Sequence, residues 1–314
     1  MNAPPNSTAA LSSTPELAAS SDPPFGIHEA EGPVRASPLV FASPHSGRLY
    51  PQEMMAASAL DYATIRRSED ALVDGLILGA TSHGAAILTA GYARAYIDVN
   101  REPYDLDPSM FEDELPDFAR GRSARMAAGL GSIARIVAEG QEIYARKLTF
   151  AEAARRIETI HRPYHAALGA LLADAKRAFD CAVLVDWHSM PSAAARTLGQ
   201  SGDVFGSGAC DFVLGDRFGA ACAPPITGLV ERQLEGLGYR VTRNAPYAGG
   251  YTTETYGRPG QGEHALQIEI NRALYLDETS LEPHAGFERL RRDLDAVFAA
   301  LAGLDWNALG APPA

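Results

Sequence analysis

The chain has 314 residues, a mass of 33.4 kDa and a formal net charge of −12 at pH 7. This acidic balance argues against nucleic acid as a partner, because proteins that bind a phosphate backbone need basic surfaces. No apolar stretch approaches the roughly 20 residues of a membrane span, so we expect no membrane insertion. The three cysteines lack paired metal-ligand spacing, which favours buried thiols in a reducing cytoplasm.

The first 24 residues differ in composition from the rest of the chain. They are rich in Ala, Ser, Thr and Pro, and they lack the basic start and apolar run of a signal peptide. This composition predicts a disordered tail. No internal linker follows, so residues 25–314 are predicted to form a single domain.

Strand-like and helix-like segments alternate in that domain. Strands are predicted at 39–42, 85–88, 95–99, 182–185, 240–242 and 266–270. Helices are predicted at 70–82, 150–179, 227–237 and 290–301, and Pro163 either kinks the second helix or divides it. Polar, turn-rich regions at 103–131 and 246–262 are predicted to be long functional loops. The order favours a three-layer α/β fold, with helices on both faces of a mixed, mostly parallel sheet.

Two histidines stand directly after apolar strands. His45 follows the strand at 39–42 among turn-forming residues, and His188 follows the strand at 182–185. Ligands bind at this edge of α/β sheets, so both imidazoles are candidate metal ligands. Taken singly, either could instead be a hydrogen-bonded structural residue.

A metal site built on two histidines normally adds a carboxylate and leaves one position open for water. Asp70, at the start of a predicted helix, is our choice for this ligand, and Glu69 is the competing candidate. Asp186 lies two residues before His188, so both side chains point to one face of the strand. Asp186 could therefore support the site from behind the ligands.

Two more motifs contribute polar residues. In "HALQIEINR", Glu269 alternates with apolar positions, where a carboxylate is either paired, for example with Arg272, or functional. Glu269 is thus a candidate general base. In "AYIDVNREP", Asp98 could be a supporting carboxylate, and Asn100 with Arg101 could bind an anionic substrate.

Six motifs, "SPHSGRLYP", "RSEDALVDGL", "RAYIDVNR", "VDWHSMPS", "PYAGGYT" and "QIEINRALY", occur in this order between about residues 43 and 275. Together they resemble the N-formylglutamate amidohydrolase family and, more distantly, the zinc carboxypeptidases and their aminoacylase relatives. The resemblance implies a zinc-peptidase-like fold with one Zn²⁺ per chain. Its implied ligands are His45, an acidic residue and His188, and its implied base is Glu269.

The resemblance also assigns supporting roles. It implies that Asp98 is the partner of a zinc-bound histidine, that Asn100 and Arg101 hold a substrate carboxylate, and that Tyr251 covers the substrate. One feature departs from the carboxypeptidases, whose acidic ligand comes three residues after the first histidine. That position is Arg48 here, so the acidic ligand must come from elsewhere.

The implied reaction is hydrolysis of N-formyl-L-glutamate to formate and L-glutamate. The family name suggests a role in amino-acid metabolism, in the degradation of histidine, and we expect the enzyme to be cytoplasmic. Arg135 is a candidate for stabilising the oxyanion. The expected partner is a small anionic N-acyl amino acid, and the oligomeric state is left open. The alternatives are a deacylase of another N-acyl amino acid, a carboxypeptidase-like hydrolase of small peptides, and a non-catalytic binding protein of the same fold.

Overall fold

The computed structural model describes residues 17–18, 22–29, 36–137, 140–200 and 209–309. Its strands are Leu17–Ala18 (β1), Phe25–His28 (β2), Leu39–Ser43 (β3), Tyr50–Pro51 (β4), Ala86–Ala90 (β5), Ala182–Met190 (β6), Phe212–Gly215 (β7), Val241–Arg243 (β8) and Glu263–Asn271 (β9). Seven of them form one sheet in the order β2-β5-β3-β6-β9-β7-β8, and β1 pairs with β4.

The centre of the sheet is parallel. Strand β3 pairs in parallel with β5 and β6, and β6 with β9, whereas β2–β5 and β7–β9 are antiparallel. Every residue of β3 and β6 is buried, as expected for central parallel strands that are covered on both faces. The predicted mixed, mostly parallel sheet is confirmed.

The described residues form ten α-helices, some of which pack on the two faces of this sheet. They are Gln52–Ala57 (α1), Tyr62–Arg66 (α2), Val73–Ile77 (α3), Ala124–Ala127 (α4), Phe150–Arg156 (α5), Arg162–Phe179 (α6), Ser192–Gln200 (α7), Pro224–Gly236 (α8), Tyr251–Tyr256 (α9) and Gly286–Ala302 (α10). Phe41 and Val185 face a core shared with α3, α8 and α10, and Val40 and Leu184 face a core shared with α6. The three-layer α/β prediction is therefore confirmed.

The predicted strand at 95–99 is wrong. This segment forms turns, in which the amides of Tyr96 and Ile97 donate to the carbonyl of Ala93. Its apolar residues are nevertheless buried, because they pack into the core on the α6 face of the sheet. Burial of an irregular segment thus produced an apolar run that resembles a buried strand.

Two predicted helices differ from the observed ones. The segment predicted at 70–82 forms a helix only from Val73, and it continues as a 3₁₀-helix at Leu78–His83. The segment at 150–179 is helical throughout, with a π-helical stretch at Ile157–His161 between α5 and α6. Pro163 lies in the first turn of α6, so it neither ends nor divides the helix.

Other elements were missed or shifted. Strands β2 and β7 and helix α7 had no predicted counterpart, and the predicted loop at 246–262 contains α9. The region at 103–131 is mostly irregular, as predicted.

All three cysteines are buried free thiols. None of the described helices is both long enough and apolar enough to span a membrane. Within the predicted tail the structure describes only residues 17–18 and 22–24, so the tail and the single domain stay predictions.

Candidate active site

The site lies at the carboxyl ends of three neighbouring strands. His45 stands two residues after β3, His188 lies near the end of β6, and Glu269 lies near the end of β9. The parallel register of β6 and β9 places His188 beside Glu269. After His45 the chain turns closely past a neighbouring segment, since a Cβ on Gly47 would lie 2.2 Å from the carbonyl oxygen of Tyr92.

Three buried side chains converge between these strand ends. The Nδ1 atoms of His45 and His188 are 3.0 Å apart, and Asp70 Oδ2 lies 3.3 Å from the first and 3.0 Å from the second. In a tetrahedral zinc site with bonds of about 2.0–2.1 Å, ligand atoms are separated by roughly 3.3 Å. The spacing of these three atoms therefore fits a small divalent cation, and the set of two imidazoles and one carboxylate suits zinc.

Each imidazole uses its other nitrogen for a carboxylate. His45 Nε2 is 2.7 Å from Asp98 Oδ1, and His188 Nε2 is 3.1 Å from Asp186 Oδ2. Such partners fix the ring orientation and leave the opposite nitrogen free to bind a metal. The structure thus places Asp98 and Asp186 behind the two histidines.

Buried charges hold the acidic residues ionised. Arg272 donates to Asp70 Oδ1 at 3.0 Å, and Arg94 donates to Asp98 Oδ2 at 2.9 Å. Burial by itself would raise the pKa of Asp70, but the adjacent imidazoles of His188 and His45 hold this pKa well below its ordinary value. Burial likewise opposes a charge on His188, yet Asp186 and Asp70 raise the pKa of this imidazole well above its ordinary value. The cluster accordingly favours a positive charge at its centre.

Glu269 lies beside this cluster and is 7% exposed. Its Oε1 accepts a hydrogen bond of 2.8 Å from Gln267 Nε2. Burial raises the pKa of Glu269 to about 7. The charge of Asp70 contributes to this rise, and the charge of His188 opposes it. A carboxylate with this pKa can both accept and return a proton near neutral pH.

The alternatives left open at these positions are resolved by the contacts. Arg272 pairs with Asp70 rather than with Glu269. Glu69 is buried away from the histidines, where it accepts from the hydroxyl of Tyr50 and from Arg66. Asp70 is thus the acidic residue that the fold brings to the cluster.

Of the predicted substrate-binding residues, Arg101 lines the cavity above the cluster, and its guanidinium donates to two backbone carbonyls. Asn100 also lines the cavity, but its amide is already engaged. Its Nδ2 contacts Asp186 and His188, and its Oδ1 accepts from the amide and hydroxyl of Thr252.

Two other predicted residues do not reach the cluster. Arg135 pairs with Asp107 at 2.9 Å and with Glu142 at 3.3 Å, and its side chain is not part of the cavity wall. These acids draw its guanidinium away from the position that an oxyanion donor would need. Tyr251 stands at the entrance of an adjoining cavity and packs against His165.

Several residues of the cavity wall were not predicted. The cavity has a volume of about 390 Å³, and its unpredicted lining includes Arg94, Arg125, Tyr247, Gln267 and Arg272. Gln267 could have been found, since it shares the strand face of Glu269 two residues away. Arg94 lies within the motif "RAYIDVNR", but only the turn at 94–99 directs it towards Asp98. Periodicity carries no signal for such a contact.

Comparisons with known proteins find a matching family model and named relatives. Residues 37–276 match the family model described as N-formylglutamate amidohydrolase. An N-formylglutamate deformylase of Pseudomonas putida is 29% identical over 276 residues, which is 86% of this chain and 94% of the relative. One of Pseudomonas aeruginosa is 29% identical over 245 residues, or 77% of this chain and 83% of the relative.

Solved structures give the same result. The crystal structure of N-formylglutamate amidohydrolase from Ralstonia eutropha JMP134 superposes with a TM-score of 0.82 and 39% identity, covering 89% of this chain and 97% of that one. A gene product of Agrobacterium tumefaciens shares the fold, with a TM-score of 0.61 at 15% identity over 89% of this chain and 95% of that one. The matching segment includes all three residues of the cluster and Glu269, and the chain belongs to the N-formylglutamate amidohydrolase family.

Proposed function

We propose that this protein hydrolyses N-formyl-L-glutamate to formate and L-glutamate. The observation that carries the proposal is the His45–Asp70–His188 cluster beside Glu269, in a chain whose relatives are named N-formylglutamate deformylase. A buried carboxylate next to a candidate metal site is the arrangement that amide hydrolysis by water requires.

His45, Asp70 and His188 would hold one Zn²⁺ per chain. A bound zinc ion would polarise the formyl carbonyl and lower the pKa of a bound water. The carboxylates of Asp98 and Asp186 keep both imidazoles oriented for this role. The three candidate ligand atoms come from separate segments of the chain that the fold brings together.

Glu269 would move the protons of the reaction. With a pKa raised to about 7, its carboxylate can take a proton from the attacking water and deliver it to the amine nitrogen. Gln267 holds one carboxylate oxygen in place, which leaves the other to face the water. An amine is a poor leaving group until it is protonated, so a single residue serves both halves of the reaction.

Arginines of the cavity would bind the carboxylates of the substrate. Arg94, Arg101 and Arg125 all line it, although the chain as a whole carries a net charge of −12. The field around a small anion depends on these nearby guanidinium groups rather than on the net charge. Asn100 is proposed to position His188, because its amide contacts that ring and Asp186.

Release of the free amino acid from a panel of N-acyl substrates tests this proposal. N-formyl-L-glutamate should be turned over with a higher kcat/KM than N-acetyl-L-glutamate, N-succinyl-L-glutamate and N-formyl-L-leucine. Equal or better turnover of an acetyl or succinyl derivative would assign the protein to the deacylases of other N-acyl amino acids. A metal-loaded protein that hydrolyses none of them would support a non-catalytic member of the family.

Arg101→Ala tests the recognition of the carboxylate. The variant should lower kcat/KM for N-formyl-L-glutamate by about tenfold or more, because a charge-assisted hydrogen bond is lost. N-formyl-L-leucinamide, which has no carboxylate, should lose much less. A loss of equal size on the two substrates would show that Arg101 acts through the fold. The cytoplasmic location and the role in histidine degradation stay predictions, the first favoured by the three free thiols.

A further inference from the structure

A second cavity adjoins the one above the histidines. It has a volume of about 590 Å³ and shares Arg101, Arg125, Gly249 and Gly250 with the inner cavity. The inner cavity, at about 390 Å³, is already within the roughly 300–1,000 Å³ that small ligands occupy. The inner cavity alone is therefore large enough for N-formyl-L-glutamate, which does not need the outer cavity.

The acidic residues around the outer cavity mostly have partners. Asp105 accepts from Ser123 and from the amide of Arg122, and Glu254 lies 3.4 Å from Arg217. Asp117 lies 3.8 Å from Arg120. Glu102, the remaining acid of this wall, is exposed to solvent. The negative charge of the wall is thus largely compensated.

Two arginines of the same wall differ from these acids in their ion pairing. Among the ion pairs of the described residues, neither Arg122 nor Arg125 has an acidic partner. Arg101 is backed only by carbonyls and by Asp98 at 3.9 Å, and burial together with the charges of Arg94 and Arg125 lowers its pKa. Arg122 and Arg125 are exposed, and guanidinium groups that line one cavity without ion-pair partners attract an anion.

The outer cavity also has an apolar side. Phe118 lines it with 67% of its side chain exposed, and its ring packs edge-on against Tyr104 at 5.1 Å between centroids. An exposed aromatic ring opposite arginines suits a ligand with methylene groups that end in a carboxylate. A glutamyl or aspartyl side chain has this composition.

We propose that Arg122 and Arg125 form a second anion subsite in the outer cavity. This subsite accepts an acidic residue whose amine is joined by a peptide bond to the formylated amino acid. The protein would then also deformylate N-formylated acidic dipeptides, a substrate class that rests on the function proposed above. Water adds to the formyl carbon, the formamide C–N bond breaks, and the dipeptide amine keeps a proton while formate leaves. The peptide bond stays intact.

The test compares dipeptides that differ only in the charge of the second residue. For N-formyl-Glu-Glu, kcat/KM should exceed that for N-formyl-Glu-Gln by about tenfold and that for N-formyl-Glu-Lys by more. In Arg122→Gln and Arg125→Gln, the Glu-Glu to Glu-Gln ratio should fall towards one. Arg177→Gln, on an exposed pair with Asp174 in α6, is the matched control and should leave the ratio unchanged.

N-formyl-L-glutamate is measured in parallel, so that the two proposals can fail separately. Suppose that N-formyl-L-glutamate is hydrolysed, but the three dipeptides are either not hydrolysed or are hydrolysed at equal rates. The outer subsite is then refuted, and the proposed deformylase function is supported. A ratio that Arg122→Gln and Arg125→Gln leave at its original value would also refute the subsite. If N-formyl-L-glutamate itself is not hydrolysed, the proposed function is what fails.

Discussion

At the scale of single residues, the candidate site includes two carboxylates that lie behind the histidines of the cluster. Asp98 and Asp186 are buried and contact the nitrogens of His45 and His188 that point away from the cluster centre. The sequence motifs predicted both carboxylates, because each lies within or beside a motif that also bears a site residue. The arginine contacts of the site, Arg94 with Asp98 and Arg272 with Asp70, could not be predicted, since their pairing is fixed only by the fold.

Asp98→Asn should weaken zinc binding by about 10- to 100-fold, the usual effect of removing a charged partner from a ligating histidine. The asparagine keeps the size of the side chain but loses the charge that orients His45 and pairs with Arg94. Competition with a chelator measures the affinity. Asp174→Asn, on the exposed face of α6, is the control and should bind zinc like the wild type. Unchanged affinity in Asp98→Asn would remove this carboxylate from the site.

Glu269→Gln should keep its zinc and lose at least about a hundredfold in kcat, the scale for loss of a general base. The substitution removes a titratable group without changing its volume, and Gln267 remains next to it. Zinc content and the initial rate of formate release are measured on the same preparation. A zinc-loaded variant with wild-type kcat would exclude Glu269 as the proton acceptor.

At the scale of elements, the π-helical stretch at Ile157–His161 is the feature that the sequence signalled least. His161 Nε2 donates to the carbonyl of Arg101 at 2.8 Å, and His165 Nε2 to that of Val99 at 2.7 Å. These bonds fix the backbone on either side of Asn100. π-Helical turns often occur near functional sites, and this one contains His161, with His165 one turn further along in α6.

Burial, aided by the nearby His165, lowers the pKa of His161 to about 4. The unfolded chain binds this proton near pH 6.5, so the stabilising contribution is complete above that pH and is lost as the pH falls towards 4. Between pH 7 and pH 4 the wild type should therefore lose up to about 3 kcal/mol more unfolding free energy than His161→Gln, which does not titrate. Denaturant unfolding at several pH values measures this. Parallel pH curves for the two proteins would contradict the account.

Element types were predictable where periodicity reports on packing. Strands β3 and β6 were found as short apolar runs, β9 by its alternation of apolar and polar residues, and helix α10 by its apolar residues at helical spacing. The segment at 95–99 has a similar apolar pattern but forms turns, because the core buries it without pairing its backbone in the sheet. Short strands such as β2 have too few residues to show a period.

At the scale of the whole molecule, the fold brings together site residues that are far apart in the sequence. His45 and His188 are 143 residues apart in the chain, and their Nδ1 atoms lie 3.0 Å apart. Parallel neighbours β3, β6 and β9 all end at the same edge, which is why strand-end residues could be predicted to meet. The outer cavity could not be predicted, since its wall is built from the loops around 101–125 and 249–254.

The metal content of the purified protein tests the central claim most directly. Elemental analysis should find about one zinc per wild-type chain, and little in His45→Ala or His188→Ala, because each variant leaves only two of the three ligands. Far-ultraviolet circular dichroism checks that the variants keep their secondary structure. A wild-type protein that binds no zinc after reconstitution, or folded variants that both retain it, would contradict a metal centre at this site.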